Sequence, residues 1–177
     1  MEYERSLTDN NIDILKQGLD LLYSLPDDLY ASINPPLFNY GVGAHFRHCL
    51  DSYNCFLAGI ERGRIDYDLR ERDASLERDR SVAMAKIGAT IDRLQVLKTT
   101  DGEMPLIVKM ENARSSAQSL WASSSLAREL QFLMSHTVHH YAIVAVLLRF
   151  QGFDPGEEFG IAPSTLEHWR NASQCAR

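Results

Sequence analysis

Five of the six histidines fall in two short windows of the chain. In FLMSHTVHHYAIV, His136 and His140 are four apart. On a helix such residues lie one turn apart on one face. Two neutral imidazoles can then present a nitrogen to one point, the geometry of two ligands on a single divalent ion. The other window, GVGAHFRHCLDSY, holds His45 and His48. One more histidine would complete a three-histidine site with an open position for water or substrate. His45 and His48 are three apart, about 60° around a helix. The wheel sets His45 nearer the stripe of Phe46, Leu50 and Tyr53, and His48 with Asp51, Ser52 and Cys55. Periodicity slightly favours His45 as the inward residue and leaves both open as the third ligand.

A histidine pair at this spacing is by itself often two ordinary helix histidines bonded to backbone or water. Its position next to the most apolar stretch of the chain strengthens the metal reading, because buried imidazoles need partners. The residues around it have plainer roles. His139 lies off the His136/His140 line and reads as an outer or surface histidine. Asp51 either orients His48 as a carboxylate partner or is solvated. Cys49 and Cys55 read as core or half-buried thiols, Tyr141 and Trp121 as packing residues, and Arg128 with Glu129 as a local pair. His168 has no motif around it. No HExxH, GxSxG elbow, glycine-rich phosphate loop or pair of Glu-x-x-His motifs is present, which argues against zincin, serine-hydrolase, nucleotide-binding and di-iron chemistry.

The 177 residues, with 45% hydrophobic, fit a single domain over 1–177 with a full core. Net charge is −6 and no block of Lys and Arg stands out, so neither nucleic acid nor an anionic membrane is an expected partner. Three cysteines without a CxxC pattern argue against a disulfide framework. The polar start MEYERSLTDNN is unlike a signal peptide, and the longest apolar run, 141–148, is too short to span a bilayer. A cytoplasmic protein is the expectation.

Four helical segments must carry these residues. The first runs from about Asp9 to Ser24, capped by Thr8, with Ile12, Leu15, Leu19 and Leu22 at helical spacing. DDLYASINPPLFNY follows as a loop, since Pro35-Pro36 excludes helix. The second helix runs from about Val42 to Gly63. DYDLRERDASLERDR reads as a solvated charged stretch. The third reaches about Thr99 on Ile87, Ile91, Leu94 and Leu97. Between 104 and 122, alternation of Leu106, Val108 and Met110 suggests a short strand, which SLWAS pairs as a small hairpin. The fourth starts near Ser124 or Ser125 and ends at Gly152; its second half is apolar on every side, as in a helix buried in a bundle. The loop GFDPGEEFGIAP then folds back toward the pocket, and STLE opens a short final helix with a capping box. The expected architecture is an all-α bundle of four long helices.

HCLDSY on the second helix and SHTVHHYAIV on the last long helix resemble the metal-binding segments of the DinB/YfiT-like superfamily. The resemblance covers the order of elements over nearly the whole chain. It implies a four-helix DinB-like bundle and, position by position, the ligands His48, His136 and His140, against the slight preference of the wheel for His45. It further implies one zinc or nickel ion and an open position for water or a substrate thiolate. Several members with known activity use a low-molecular-weight thiol such as bacillithiol or mycothiol, so a thiol-dependent S-transferase acting on a small molecule is the leading expectation. A metal-dependent hydrolase would use the same site. A non-catalytic, stress-related binding or dimerisation scaffold is the alternative, and a homodimer is expected from the family.

Overall fold

The computed structural model describes residues 6–33, 39–97, 103–110 and 121–175. Helix α1 spans Leu7–Ser24. Its cap is Ser6 rather than Thr8: the Ser6 hydroxyl accepts from the Asp9 amide at 3.1 Å, and the Asp9 carboxylate accepts from the Ser6 amide at 3.3 Å. Thr8 is already inside the helix and buried, because only Ser6 has an acid three residues on to complete the capping box. Pro26 stops α1, yet the chain does not stay a loop. Asp27–Ala31 forms a short helix, α2, anchored by buried Tyr30, whose hydroxyl donates to the Leu76 carbonyl. The Pro35-Pro36 pair used to exclude helix lies outside the described residues.

Helix α3 spans Val42–Gly59 and tightens into a single 3-10 turn over Ile60–Arg62. Gly63, at φ 64°, then reverses the chain, a conformation other residues rarely adopt. The charged stretch that follows is not merely solvated. Arg64–Asp66 is a strand, β1, and Tyr67 and Leu76 are buried from it. Ala74–Arg78 forms α4, and Arg80–Leu97 forms α5.

Pro105–Lys109 is β2 and Ala122–Ser125 is β3. They pair antiparallel with Leu106 opposite Ser124, as the alternation suggested, while the residues between, 111–120, lie outside the described ones. β1 pairs parallel to the other edge of β2, with Ile65 opposite Val108. The molecule is therefore mostly helical, as expected, with the small hairpin widened by β1 into a three-stranded sheet. Three residues are too few for a period-2 pattern, and the charges at Arg64 and Asp66 hide the one buried position, Ile65.

Helix α6 spans Leu126–Phe150, with the Ser125 hydroxyl accepting from the Arg128 amide at 3.3 Å. It packs against α1 and α3, which also pack against α5. One face of its second half stays uncovered: Ala142 is exposed, Val146 is 56% and Phe150 is 59% exposed. The expectation of burial on every side fails because no described element lies over that face. Helix α7, Pro163–Cys175, starts one residue before Ser164. Among the described residues, the capping box at STLE does not form. The preceding loop does fold back: Phe159 stacks on Tyr141 at 5.0 Å, and Gln17 bonds the Glu158 carbonyl and the Gly160 amide. Among the described residues no helix is long and apolar enough to cross a membrane.

The core contains one polar tie between three helices. Asn11 of α1 is fully buried; its amide donates to the carbonyls of Leu7 and Leu130 at 2.8 and 3.0 Å, and its oxygen accepts from the Tyr53 hydroxyl at 2.7 Å. Tyr53→Phe leaves that oxygen without its tyrosine partner in a site closed to water. We expect a loss of about 1–2 kcal/mol, read as a lower urea midpoint at unchanged slope.

Candidate metal centre

His48 lies midway along α3, and His136 and His140 lie one turn apart on α6. His45 meets His140 while His48 meets His136, so the two helices run antiparallel at the site. One ring nitrogen from each of His48, His136 and His140 lies within 4.8 Å of the other two. His136 Nε2 is 3.1 Å from His48 Nε2 and 3.1 Å from His140 Nε2. Two nitrogens bound at zinc distances in a tetrahedron are about 3.3 Å apart. The group therefore has the donor set and the spacing to hold one metal ion. Phe132 stacks on the His136 ring at 5.3 Å and holds its plane.

His45 is also turned inward, toward His140. Its Nδ1 is 2.9 Å from Nδ1 of His140. With a metal on His140 Nε2, Nδ1 of that ring would carry the proton and donate to His45. A ligand imidazole is commonly oriented in this way by a second group behind it. The helical wheel points to His45 and the family resemblance to His48; the structure turns both toward α6, which offers two histidines to meet them.

The flanking residues are less as expected. Asp51 is buried and faces Arg47 at 3.9 Å; among the described residues it makes no hydrogen bond to His48. Burial, opposed by the Arg47 charge, pushes its carboxyl up to about 6. Arg47 is also held by Glu77. Glu129 does not pair with Arg128. It is buried and accepts from the Tyr67 hydroxyl at 2.9 Å and from Ser124 at 2.5 Å. The lone acid before a helical apolar run carries no signal for that. His139 is exposed beside His140, and His168 is exposed on α7. Cys49 is buried, and burial pushes its thiol up to about 12. Tyr141 is a core residue between Phe46 and Phe159. A cavity of about 210 Å³ opens onto the site, lined by Tyr40, Ala44, His45, Arg47, His48 and His140. The loop after α6 does not line it.

Burial first, then the charge of His136, lowers His48 to about 4 and His140 to about 3. His45 is lowered too, chiefly by burial. At neutral pH these lone pairs are free for a cation. In metal-free protein the native state binds fewer protons than the unfolded chain below the ordinary histidine value of 6.5. Stability is then complete above pH 6.5 and falls as pH drops toward about 4 and about 3. Urea midpoints measured in chelator should follow this slope, and the double variant His48→Ala, His140→Ala should flatten it.

The fold and the site together define a mostly helical protein whose three-histidine group can hold a metal ion. No family model matches the chain. FK506-binding protein 5 of Rhizopus delemar is 30% identical over 104 residues, 59% of this chain and 27% of that protein. This chain thus spans about a quarter of the length of that curated relative, and the likeness stops at that stretch.

Proposed function

We propose that this chain is a divalent-metal-dependent enzyme of the DinB/YfiT-like type, binding one zinc or nickel ion through His48, His136 and His140 and transferring a group to a low-molecular-weight thiol. One observation carries it. His136 Nε2 sits 3.1 Å from two other imidazole nitrogens at once. A ring nitrogen has either one proton or one lone pair, so it makes one in-plane hydrogen bond, not two. A metal ion is the partner that three such nitrogens can share. The internally bonded cluster of a non-catalytic scaffold would need His136 to serve two imidazoles by hydrogen bonding alone.

Neutral imidazoles suit zinc and nickel. A bound metal makes a coordinated thiol or water deprotonate near neutral pH. The residues of the chain do the rest. His45 fixes the tautomer and plane of His140. Desolvation keeps the imidazoles neutral. The adjoining cavity takes only a small reacting end, with Arg47 at its rim already committed to Glu77 and Asp51.

The test is metal content by elemental analysis of protein purified without a histidine tag, followed by conjugation assays of bacillithiol, mycothiol and glutathione with an electrophilic aromatic acceptor. About one zinc or nickel per chain with metal-dependent thioether formation is the expected result. Metal without thioether formation but with metal-dependent ester hydrolysis moves the reading to a hydrolase. No metal after reconstitution with either ion overturns it.

A further inference from the structure

A second and larger cavity, of about 530 Å³, lies two helical turns further along α3 from His48 and shares no lining residue with the histidine cavity. Its volume is in the range of small-molecule sites. Cys55, Ala58, Arg62, Arg64, Arg70 and Trp121 are among the residues that line it. Three arginines thus line one cavity of a chain whose net charge is −6. Arg64 stands with its guanidinium carbon 3.7 Å from the centroid of the Trp121 ring. That contact holds the planar group in place without consuming any of its N–H donors. Among the described residues, none of the three guanidiniums makes a hydrogen bond or an ion pair. Arg47, Arg80 and Arg170 are each held by a carboxylate.

Asp51, outside the lining, is felt by Arg70 but shared with Arg47, and the two acids in the lining leave most of this charge uncancelled. Asp66 is committed to Lys109 at 3.3 Å, and only Glu71, exposed to solvent, remains. Cys55 donates to the Asp66 carbonyl at 3.1 Å, and burial pushes its thiol up to about 11, so it is a neutral wall, not a nucleophile. Ile65, Leu69 and the indole of Trp121 supply apolar surface.

We propose that this cavity is a binding site for a small organic anion, its carboxylate or phosphate held by Arg62, Arg64 and Arg70 and its apolar body laid against Trp121 and Leu69. Planar N–H forks of this kind match both oxyanions. The site needs no metal, and so stands or falls separately from the proposed enzyme activity.

The experiment is fluorescence titration of the full chain carrying Trp169→Phe, which leaves Trp121 as the reporter among the two tryptophans. Benzoate and phenyl phosphate are the probes, with benzyl alcohol as the neutral control. We expect saturable quenching by at least one anion, weakened by added salt and absent with benzyl alcohol. Which anion binds more tightly separates a carboxylate site from a phosphate site. In Arg62→Gln, Arg70→Gln protein, folded by circular dichroism, the dissociation constant should rise at least about tenfold. His48→Ala should leave it unchanged. No saturable response to either anion, an equal response to benzyl alcohol, or an unchanged affinity in the double arginine variant overturns the proposal.

Discussion

Replacing His48 or His140 by alanine is expected to leave the protein folded and without bound metal, while His45→Ala keeps the metal at an affinity lower by about 10–100-fold. The difference follows from which nitrogen each ring commits. His48 and His140 turn Nε2 to the shared point beside His136, so each loss takes one of three donors. His45 touches only the far nitrogen of His140. Its removal frees that ring to rotate and lowers its basicity, but every donor stays. His45→Gln, whose amide oxygen can accept the same proton, should recover part of the loss. His139→Ala, at an exposed position, should change nothing. Isothermal titration with zinc reads all of these. If His45→Ala abolished binding as fully as His48→Ala, the third donor would be His45 and the assignment here would fall.

The second large effect is mechanical. A methyl group at position 43 would stand 2.0 Å from the Glu77 carbonyl oxygen and 2.8 Å from its carbon. Both are backbone atoms, so no side chain can swing away, and α4 must move off the first turn of α3. Gly43→Ala is expected to destabilise the protein by about 3 kcal/mol, at the upper end for overpacking. Because Glu77 also holds Arg47, the same variant should loosen the rim of the histidine cavity. Gly88→Ala is the control: nothing lies within 4 Å of its added carbon, and it sits inside α5. There alanine should stabilise by about 0.5–1 kcal/mol. Paired urea melts decide both; equal midpoints for the two variants would remove the packing argument.

The long helices were legible because Ile12, Leu15 and Leu22, or Ile87, Ile91 and Leu94, repeat at helical spacing over many turns. Ser125 and the end of α6 near Gly152 were legible from cap chemistry. Elements shorter than about two turns were not. In α2 and α4 one buried residue each, Tyr30 and Leu76, does the anchoring, and one residue makes no period. The sheet was half legible: β2 alternates, whereas β1 shows a single apolar residue between charges, and its partner lies far along the chain. At the site, the spacing of His136 and His140 placed both on one face. The choice of His48 came from resemblance, since the wheel pointed to His45. What no single-helix wheel can reveal is that a second helix presents two histidines, so two inward residues on the first can each find a different one.

His48 and His136 are 88 positions apart in sequence yet only 3.1 Å apart at their ring nitrogens. An ion shared between them would bridge α3 and α6 across half the chain, and would act as a removable cross-link as well as a reactive centre. A ligand that binds only the folded form raises its stability in proportion to the logarithm of its concentration. Metal supply would thus set how firmly the seam between these two helices is stitched, and chelation would be felt first as a fall in melting temperature.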